Sequence, residues 1–257
     1  MLRATKRLIT ALIVFALCFT LVACGKTINN EGNDKNITTP TTEEETVMID
    51  FSDLTKLNMS CLGDSLTMGQ GIETPYSTFI EEELGLKEVY NYGIGWSTIA
   101  NSGTCTCHPQ NFAGGHNPFV YRYMAMNQAE IIAVCGGAND HGVNVPLGTI
   151  DDVKGNTFYG ALNNLITGLQ ESNPGAYIFF MTPFNYDTVN DNGIHIYEYA
   201  EAIKKVCEKH EIDCFDCYAE IPINVGTDTI DGVHPTQEFV QNTWAPQIAQ
   251  FIRDNVG

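Results

Sequence analysis

From residue 57 onward the chain alternates between short apolar runs and longer stretches whose apolar side chains recur at helical spacing. The runs Leu57–Leu62, Glu88–Tyr92, Glu130–Cys135, Ala176–Met181 and Asp213–Tyr218 are strand-like in length and content. Between them Tyr76–Leu84, Thr157–Ser172 and Ile194–Glu211 read as helices, with a last one at Thr236–Asn255. In Thr157–Ser172, the residues Phe158, Ala161, Leu162, Leu165, Ile166 and Leu169 make one continuous apolar stripe. In Ile194–Glu211, Ile203, Val206 and Cys207 oppose Lys204, Lys205, Glu208 and Lys209. Pro174-Gly175 and Pro183 punctuate the joins. The alternation predicts an α/β domain whose five-stranded parallel sheet is covered by helices on both faces.

Sheets of this kind gather their ligands at the C-terminal ends of the strands, so the residues after each run matter most. Gly63-Asp64-Ser65 follows the first run and Gly93-Ile94-Gly95-Trp96-Ser97 the second. Gly136-Gly137-Ala138-Asn139-Asp140-His141 follows the third. Asp231-Gly232-Val233-His234-Pro235 comes after the last, on the way to the final helix. A serine hydroxyl is a poor nucleophile until a base removes its proton, and histidine is the usual base. That base needs an acceptor on its other ring nitrogen, and Asp231 stands three residues before His234. Pro235 suits the first turn of the final helix.

Of the six histidines, His141 is the rival base, although no local partner is evident for it. His210 follows Cys207-Glu208-Lys209 on a charged helix and reads as solvated, and His195 lies near a helix start. His108 and His116 sit in a long Gly/Asn-rich loop. For the oxyanion of acyl transfer, the donors at hand are the Ser65 backbone N–H, the Asn139 side chain and an N–H from the Gly93–Ser97 loop. A turn-forming asparagine would also fit Gly-Gly-Ala-Asn-Asp.

The first residues change the picture of where the protein works. Arg3, Lys6 and Arg7 precede the apolar run Leu8–Val22, a basic start and hydrophobic centre typical of an export signal and too short and one-sided for a membrane span. Residues 1–23 are therefore expected to be a signal peptide. The run ends in Leu21-Val22-Ala23-Cys24, which resembles the lipobox of bacterial lipoproteins. That resemblance implies cleavage before Cys24, a diacylglyceryl group on its thiol, and a membrane partner through that anchor. Residues 24–46, with "NITTPTTEEET", hold nothing to bury and read as a disordered tether. The folded domain is expected at 47–257.

The 257 residues are 44% hydrophobic, enough for one sizeable core. With 31 acidic against 13 basic residues the net charge is −18, and no basic cluster follows the first seven positions. Nucleic acid is excluded as an expected partner. Nine cysteines become seven once Cys18 and Cys24 are set aside, an odd number that argues against a complete disulfide framework. Cys61 and Cys135 lie in strand-like runs and read as core residues. Cys105-Thr106-Cys107-His108 and Cys214-Phe215-Asp216-Cys217 have weak metal-like spacing, and a strand would point Cys214 and Cys217 to opposite faces. No metal or other cofactor is expected.

Four blocks stand in order: "GDSLT" (Gly63–Thr67), "NYGIGWST" (Asn91–Thr98), "GGAND" (Gly136–Asp140) and "DGVH" (Asp231–His234). Together they resemble the sequence blocks of the SGNH, or GDSL-type, hydrolases from Leu57 to the final helix. The resemblance implies a flavodoxin-like three-layer α/β/α sandwich and a metal-independent serine esterase. It implies Ser65 as nucleophile, His234 as base, Asp231 as its orienting acid, and Asn139 as an oxyanion-hole donor. The second block departs from the pattern: the family glycine five residues after its asparagine falls on Trp96, with Gly95 just before. Any non-proline residue can lend a backbone N–H, so Trp96 serves if its φ/ψ is permitted.

Other readings lack their residues. Thr67 replaces the last glycine of a G-x-S-x-G elbow, and Thr98 the third glycine of a dinucleotide fingerprint. The expected function is an exported esterase acting on small-molecule or polysaccharide esters, with short O-acetyl groups on carbohydrate favoured. A lipase or lysophospholipase is the alternative enzyme, and a binding lipoprotein without catalysis is the alternative class.

Overall fold

The computed structural model describes residues 48–101 and 118–256. The signal and tether expectations, Cys24, Cys105, Cys107, His108 and His116 lie outside the described residues. Strands β1 (Asn58–Gly63), β2 (Glu88–Gly93), β3 (Ile131–Cys135), β4 (Tyr177–Met181) and β5 (Asp213–Phe215) pair in parallel in the order β2-β1-β3-β4-β5. The helices are α1 (Ser65–Met68), α2 (Tyr76–Leu84), α3 (Phe119–Arg122), α4 (Ala138–Gly142), α5 (Phe158–Ser172), α6 (Ile196–Lys209), α7 (Cys217–Glu220), α8 (Gln237–Phe239) and α9 (Ala245–Val256).

The central strands alternate strictly between two cores, as the two-residue period of a strand requires. Met59, Cys61, Ile131, Ala133, Cys135, Phe179 and Met181 face one core, where α2 and α9 contribute Ile80, Leu84, Ile248 and Ile252. Leu62, Ile132, Val134, Ile178 and Phe180 face the other, with Leu162, Leu165 and Leu169 of α5 and Ile203 and Val206 of α6. Burial on both faces explains why the strands read as continuous apolar runs. This is the expected three-layer α/β/α sandwich with the flavodoxin-like strand order.

From β1 the chain runs out to the edge strand β2 and then returns to β3, so the crossover direction reverses between β1 and β3. Such a reversal opens a crevice beyond the strand ends. The register sets Gly63 opposite both Gly93 and Cys135, so the three strands end level around it.

Several boundaries differ from the sequence expectation. β5 stops at Phe215, because Asp216 turns the chain and its carboxylate accepts the Ala219 N–H at 3.2 Å as the cap of α7. Cys217 therefore lies on a helix, not on the far face of a strand. The last helix is not continuous from Thr236: Thr236 caps α8, a π-helical turn spans Val240–Trp244, and α9 follows. The wide turn keeps Val240, Trp244, Ala245 and Ile248 all buried. Pro235 stands before that cap, bridged to Thr229, rather than in the first helical turn. Helix α6 begins two residues later than expected because His195 caps it, Nδ1 accepting the Tyr197 N–H at 3.0 Å. His210 is half-buried rather than solvated, with Nε2 2.8 Å from Asn163 Oδ1.

Candidate active site

Ser65 opens α1 directly beyond β1. The turn is tight: a Cβ on Gly63 would stand 1.8 Å from Thr67 Oγ1, and one on Gly93 would stand 2.1 Å from the Met68 nitrogen. Only glycine lets β1 and β2 approach α1 so closely. Asp64 caps the helix, its Oδ1 accepting the Leu66 N–H at 2.9 Å. Burial pushes the Asp64 carboxyl up to about 6, although the Leu66 bond and the charges of His234 and Arg122 pull it down.

His234 arrives on a hairpin that its own residues close. Thr229 bridges Pro235, the Ile230 N–H donates to His234 O at 2.7 Å, and the Gly232 N–H donates to Thr229 Oγ1 at 2.9 Å. Asp231 Oδ1 accepts the N–H groups of Val233 at 3.1 Å and His234 at 2.9 Å. Its Oδ2 lies 2.7 Å from His234 Nδ1, and His234 Nε2 lies 2.9 Å from Ser65 Oγ. The backbone bond from His234, then its ring, hold the Asp231 carboxyl down at about 2. A carboxylate at Nδ1 favours the tautomer whose Nε2 accepts, which leaves the Ser65 hydroxyl to donate. Tyr186 OH donates to Val233 O at 2.8 Å, bracing the hairpin from the loop after β4.

The loop after β2 supplies the opposite wall. An ideal Cβ on Gly95 would lie 4.0 Å from Ser65 Cβ, so Gly95 backs directly onto the serine. Trp96 follows with φ +65 and its side chain half exposed. Asn139, near the start of α4, donates through Nδ2 to Ser97 O at 3.0 Å and to Asp64 Oδ2 at 3.4 Å. The sequence blocks thus converge on one crevice, with Ser65, Asp231 and His234 in one hydrogen-bonded chain and Asn139 and the Gly95–Trp96 turn beside it.

Three supporting residues escaped the sequence reading. Asp140, fully buried, accepts the N–H groups of Ile99 at 2.8 Å and Ala100 at 2.9 Å, and burial raises its carboxyl to about 7. Arg122, from α3, reaches the strand ends with its guanidinium. Gln237 joins the histidine segment to the loop after α1: Oε1 accepts the N–H groups of Glu73 and Thr74, each at 3.0 Å, and Nε2 donates to Thr74 O at 3.1 Å. Asp140 stands inside the third block without a role read for it, and the only signal for Gln237 is an amide three positions after His234. Arg122 carried none.

The rival histidines point elsewhere. His141 Nε2 lies 3.1 Å from Ile194 O and its ring meets Tyr199 edge-on, with burial lowering its pKa. His195 faces Asp187 at 3.2 Å. Among the described residues no group of three or more His, Cys, Asp or Glu is arranged to hold a metal, and no helix is long and apolar enough to cross a membrane. Cys61, Cys135, Cys207, Cys214 and Cys217 are free thiols.

A sequence model of the GDSL-like lipase/acylhydrolase family matches residues 61–241. No functionally curated protein matches the sequence. Among solved structures, a Lactobacillus plantarum protein is 25% identical, with 77% of this chain and 97% of that one covered and a TM-score of 0.67. A possible lipase from Chitinophaga pinensis is 19% identical, with 77% and 98% covered and a TM-score of 0.61. A carbohydrate acetylesterase from Sinorhizobium meliloti is 18% identical, with 77% and 99% covered and a TM-score of 0.55.

Proposed function

This chain belongs to the GDSL-like lipase/acylhydrolase family, and from that premise we propose that it hydrolyses carboxylic esters through an acyl-enzyme on Ser65. The observation that carries the reading is the chain from Asp231 Oδ2 to His234 Nδ1 at 2.7 Å and from His234 Nε2 to Ser65 Oγ at 2.9 Å. Ser65 Oγ attacks the ester carbonyl while His234 Nε2 takes its proton. The resulting oxyanion is met by the Ser65 N–H, a backbone N–H of the Gly95–Trp96 turn and Asn139 Nδ2. The 3.4 Å bond from Asn139 to Asp64 is the weak one, and the oxyanion replaces it. His234 then protonates the leaving alcohol, and a water activated by the same nitrogen frees the acid from Ser65.

The favoured substrate is a short acyl group, foremost O-acetyl on carbohydrate. The partly open cleft lined by Ser65, Leu66, Gly69, Gln70, Ile72 and His234 has room on the order of one water molecule, a size that suits an acetyl methyl. Trp96, half exposed and next in the chain to Gly95, offers a flat face to a sugar ring. A longer-chain lipid ester is the second reading, favoured by the exposed Met68, Ile230 and Val233. The sequence further supports export and anchoring through a lipid on Cys24, which the intact mass of the mature N-terminus would test.

The test of function is hydrolysis of p-nitrophenyl acetate, butyrate and octanoate beside a Ser65→Ala variant, with acetate release from acetylated xylan in parallel. Activity that needs Ser65 and is highest for acetate is expected. Preference rising with chain length would select the lipid reading, and equal rates in both proteins would remove the acyl-enzyme.

A further inference from the structure

Trp96 occupies the left-handed region at φ +65, where a bulky side chain is disfavoured. The Ser97 N–H donates to Ile94 O at 3.3 Å, so Ile94-Gly95-Trp96-Ser97 is a closed turn with its left-handed residue third. A type II turn normally gives that place to glycine. A strained turn persists only where its surroundings over-determine it.

The surroundings here converge on one guanidinium. Ser97 Oγ donates to Ile94 O at 2.7 Å, reinforcing the closure, and accepts from Arg122 Nη2 at 2.9 Å. The same Nη2 donates to Gly63 O at 2.6 Å, and Nη1 donates to Tyr92 O. Arg122 thus ties the end of β1, the end of β2 and the turn to one rigid fork. It is 9% exposed, with its guanidinium carbon 4.8 Å from the Phe119 ring centre. Burying a cation is costly, and an apolar side chain would fill the same volume without that cost. Asn139 completes the frame from the other side by donating to Ser97 O at 3.0 Å.

We propose that Arg122 is a positioning residue for the ester chemistry: acting through the Ser97 hydroxyl, it holds the strained Gly95–Trp96 turn so that its N–H groups face the oxyanion beside Ser65. The catalytic part of this inference rests on the acyl-enzyme reading above. The structural part, that Arg122 and Ser97 maintain the turn, does not.

Two variants separate these parts. Ser97→Ala removes the link together with the hydroxyl's own bond to Ile94 O, and leaves the bonds of Arg122 to Gly63 and Tyr92. Arg122→Lys keeps the charge and loses the fork. Each should lower kcat on p-nitrophenyl acetate about tenfold to a hundredfold with KM within about threefold, comparable to or below the loss of one oxyanion donor. Trp96→Gly then discriminates positioning from plain stabilisation, because glycine takes a positive φ without strain. In the Trp96→Gly background either variant should cost less than about threefold, a non-additivity that a merely stabilising arginine would not produce. If Arg122→Lys does not fold, Arg122→Gln, which leaves the Ser97 bond to Ile94 O in place, carries the same comparison.

Amide hydrogen exchange over residues 94–99 reads the turn without any activity, and it should quicken about tenfold or more in both variants. Faster exchange in a protein whose hydrolysis does not need Ser65 would uphold the hold on the turn and place the failure with the ester reading. Unchanged exchange, or equal loss of kcat in both backgrounds, would overturn the role of Arg122.

Discussion

Asp231 holds His234 twice: its Oδ1 accepts the histidine's own backbone N–H at 2.9 Å while its Oδ2 meets the ring Nδ1 at 2.7 Å. Three residues suffice for both bonds because Asp231 forms an Asx-type turn with Val233 and His234 and the Thr229–Pro235 bridge closes the hairpin around it. The carboxylate therefore sets the loop conformation and the ring orientation together.

Asp231→Asn separates those duties. The amide oxygen can keep the backbone bonds, while the charge at Nδ1 is lost. Serine-dependent hydrolysis should fall by about 10³ to 10⁴ in kcat with the fold intact. Because the folded carboxyl lies near 2, below its ordinary 3.8, its contribution to stability is present above about pH 4 and fades as pH falls towards 2. Thermal melts of wild type and variant should differ above about pH 4 and converge as pH falls to 2. A gap that does not close between pH 4 and pH 2 would contradict the assignment.

Asp140 carries the opposite sign. Its folded carboxyl is raised to about 7 by burial, so the folded state binds a proton that the unfolded chain has released above about pH 4. Its stabilising contribution is complete below pH 4 and drains away as pH rises through 7. Asp140→Asn keeps one acceptor for the N–H groups of Ile99 and Ala100 and cannot titrate. It should be less stable than wild type at pH 5, and the gap should narrow by pH 8. A constant gap would refute the raised carboxyl.

Gly93 is a matter of space alone. A Cβ there would sit 2.1 Å from the Met68 nitrogen and 2.5 Å from its Cα, and backbone cannot swing aside as a long side chain can. Gly93→Ala should destabilise by about 3 kcal/mol or more, read by urea unfolding. Gly142→Ala is the control: no atom lies within 4 Å of its added Cβ, and a change within about 1 kcal/mol is expected.

What the sequence disclosed follows the range of each interaction. The central strands β1, β3 and β4 were legible because burial on both faces leaves continuous apolar runs, and Ser65, Asn139, Asp231 and His234 because each belongs to a compact block. Asp231 and His234 could even be paired, since their bond spans only three residues. Arg122 was invisible: its partners Gly63, Tyr92 and Ser97 come from two strand ends and a turn, at separations of 59, 30 and 25 residues. No local pattern announces a cation whose acceptors are two backbone carbonyls and a distant hydroxyl. The overrun of β5 and the unbroken final helix have local causes instead, a capping Asp216 and the wide turn at Val240–Trp244. Apolar periodicity alone registers neither.

Gln237 offers the last prediction. Its side chain is half-buried two residues beyond Pro235 and makes three hydrogen bonds to the backbone of Glu73 and Thr74. The loop so held runs on from Gly69, Gln70 and Ile72, which line the cleft at Ser65. The amide therefore couples the segment carrying His234 to the wall beside the nucleophile. Gln237→Ala frees two backbone N–H groups that water can partly satisfy, so the loss of stability should be about 1–2 kcal/mol. The larger effect should be on KM, raised several-fold for p-nitrophenyl butyrate, because the wall moves while the Ser65–His234 bond stays. Gln237→Glu keeps both acceptor contacts and loses only the donor to Thr74 O, so it should fall between the two. If Glu were as damaging as Ala, the two accepted bonds would not be what fixes the loop, and a KM unchanged in both variants would detach the loop from substrate binding altogether.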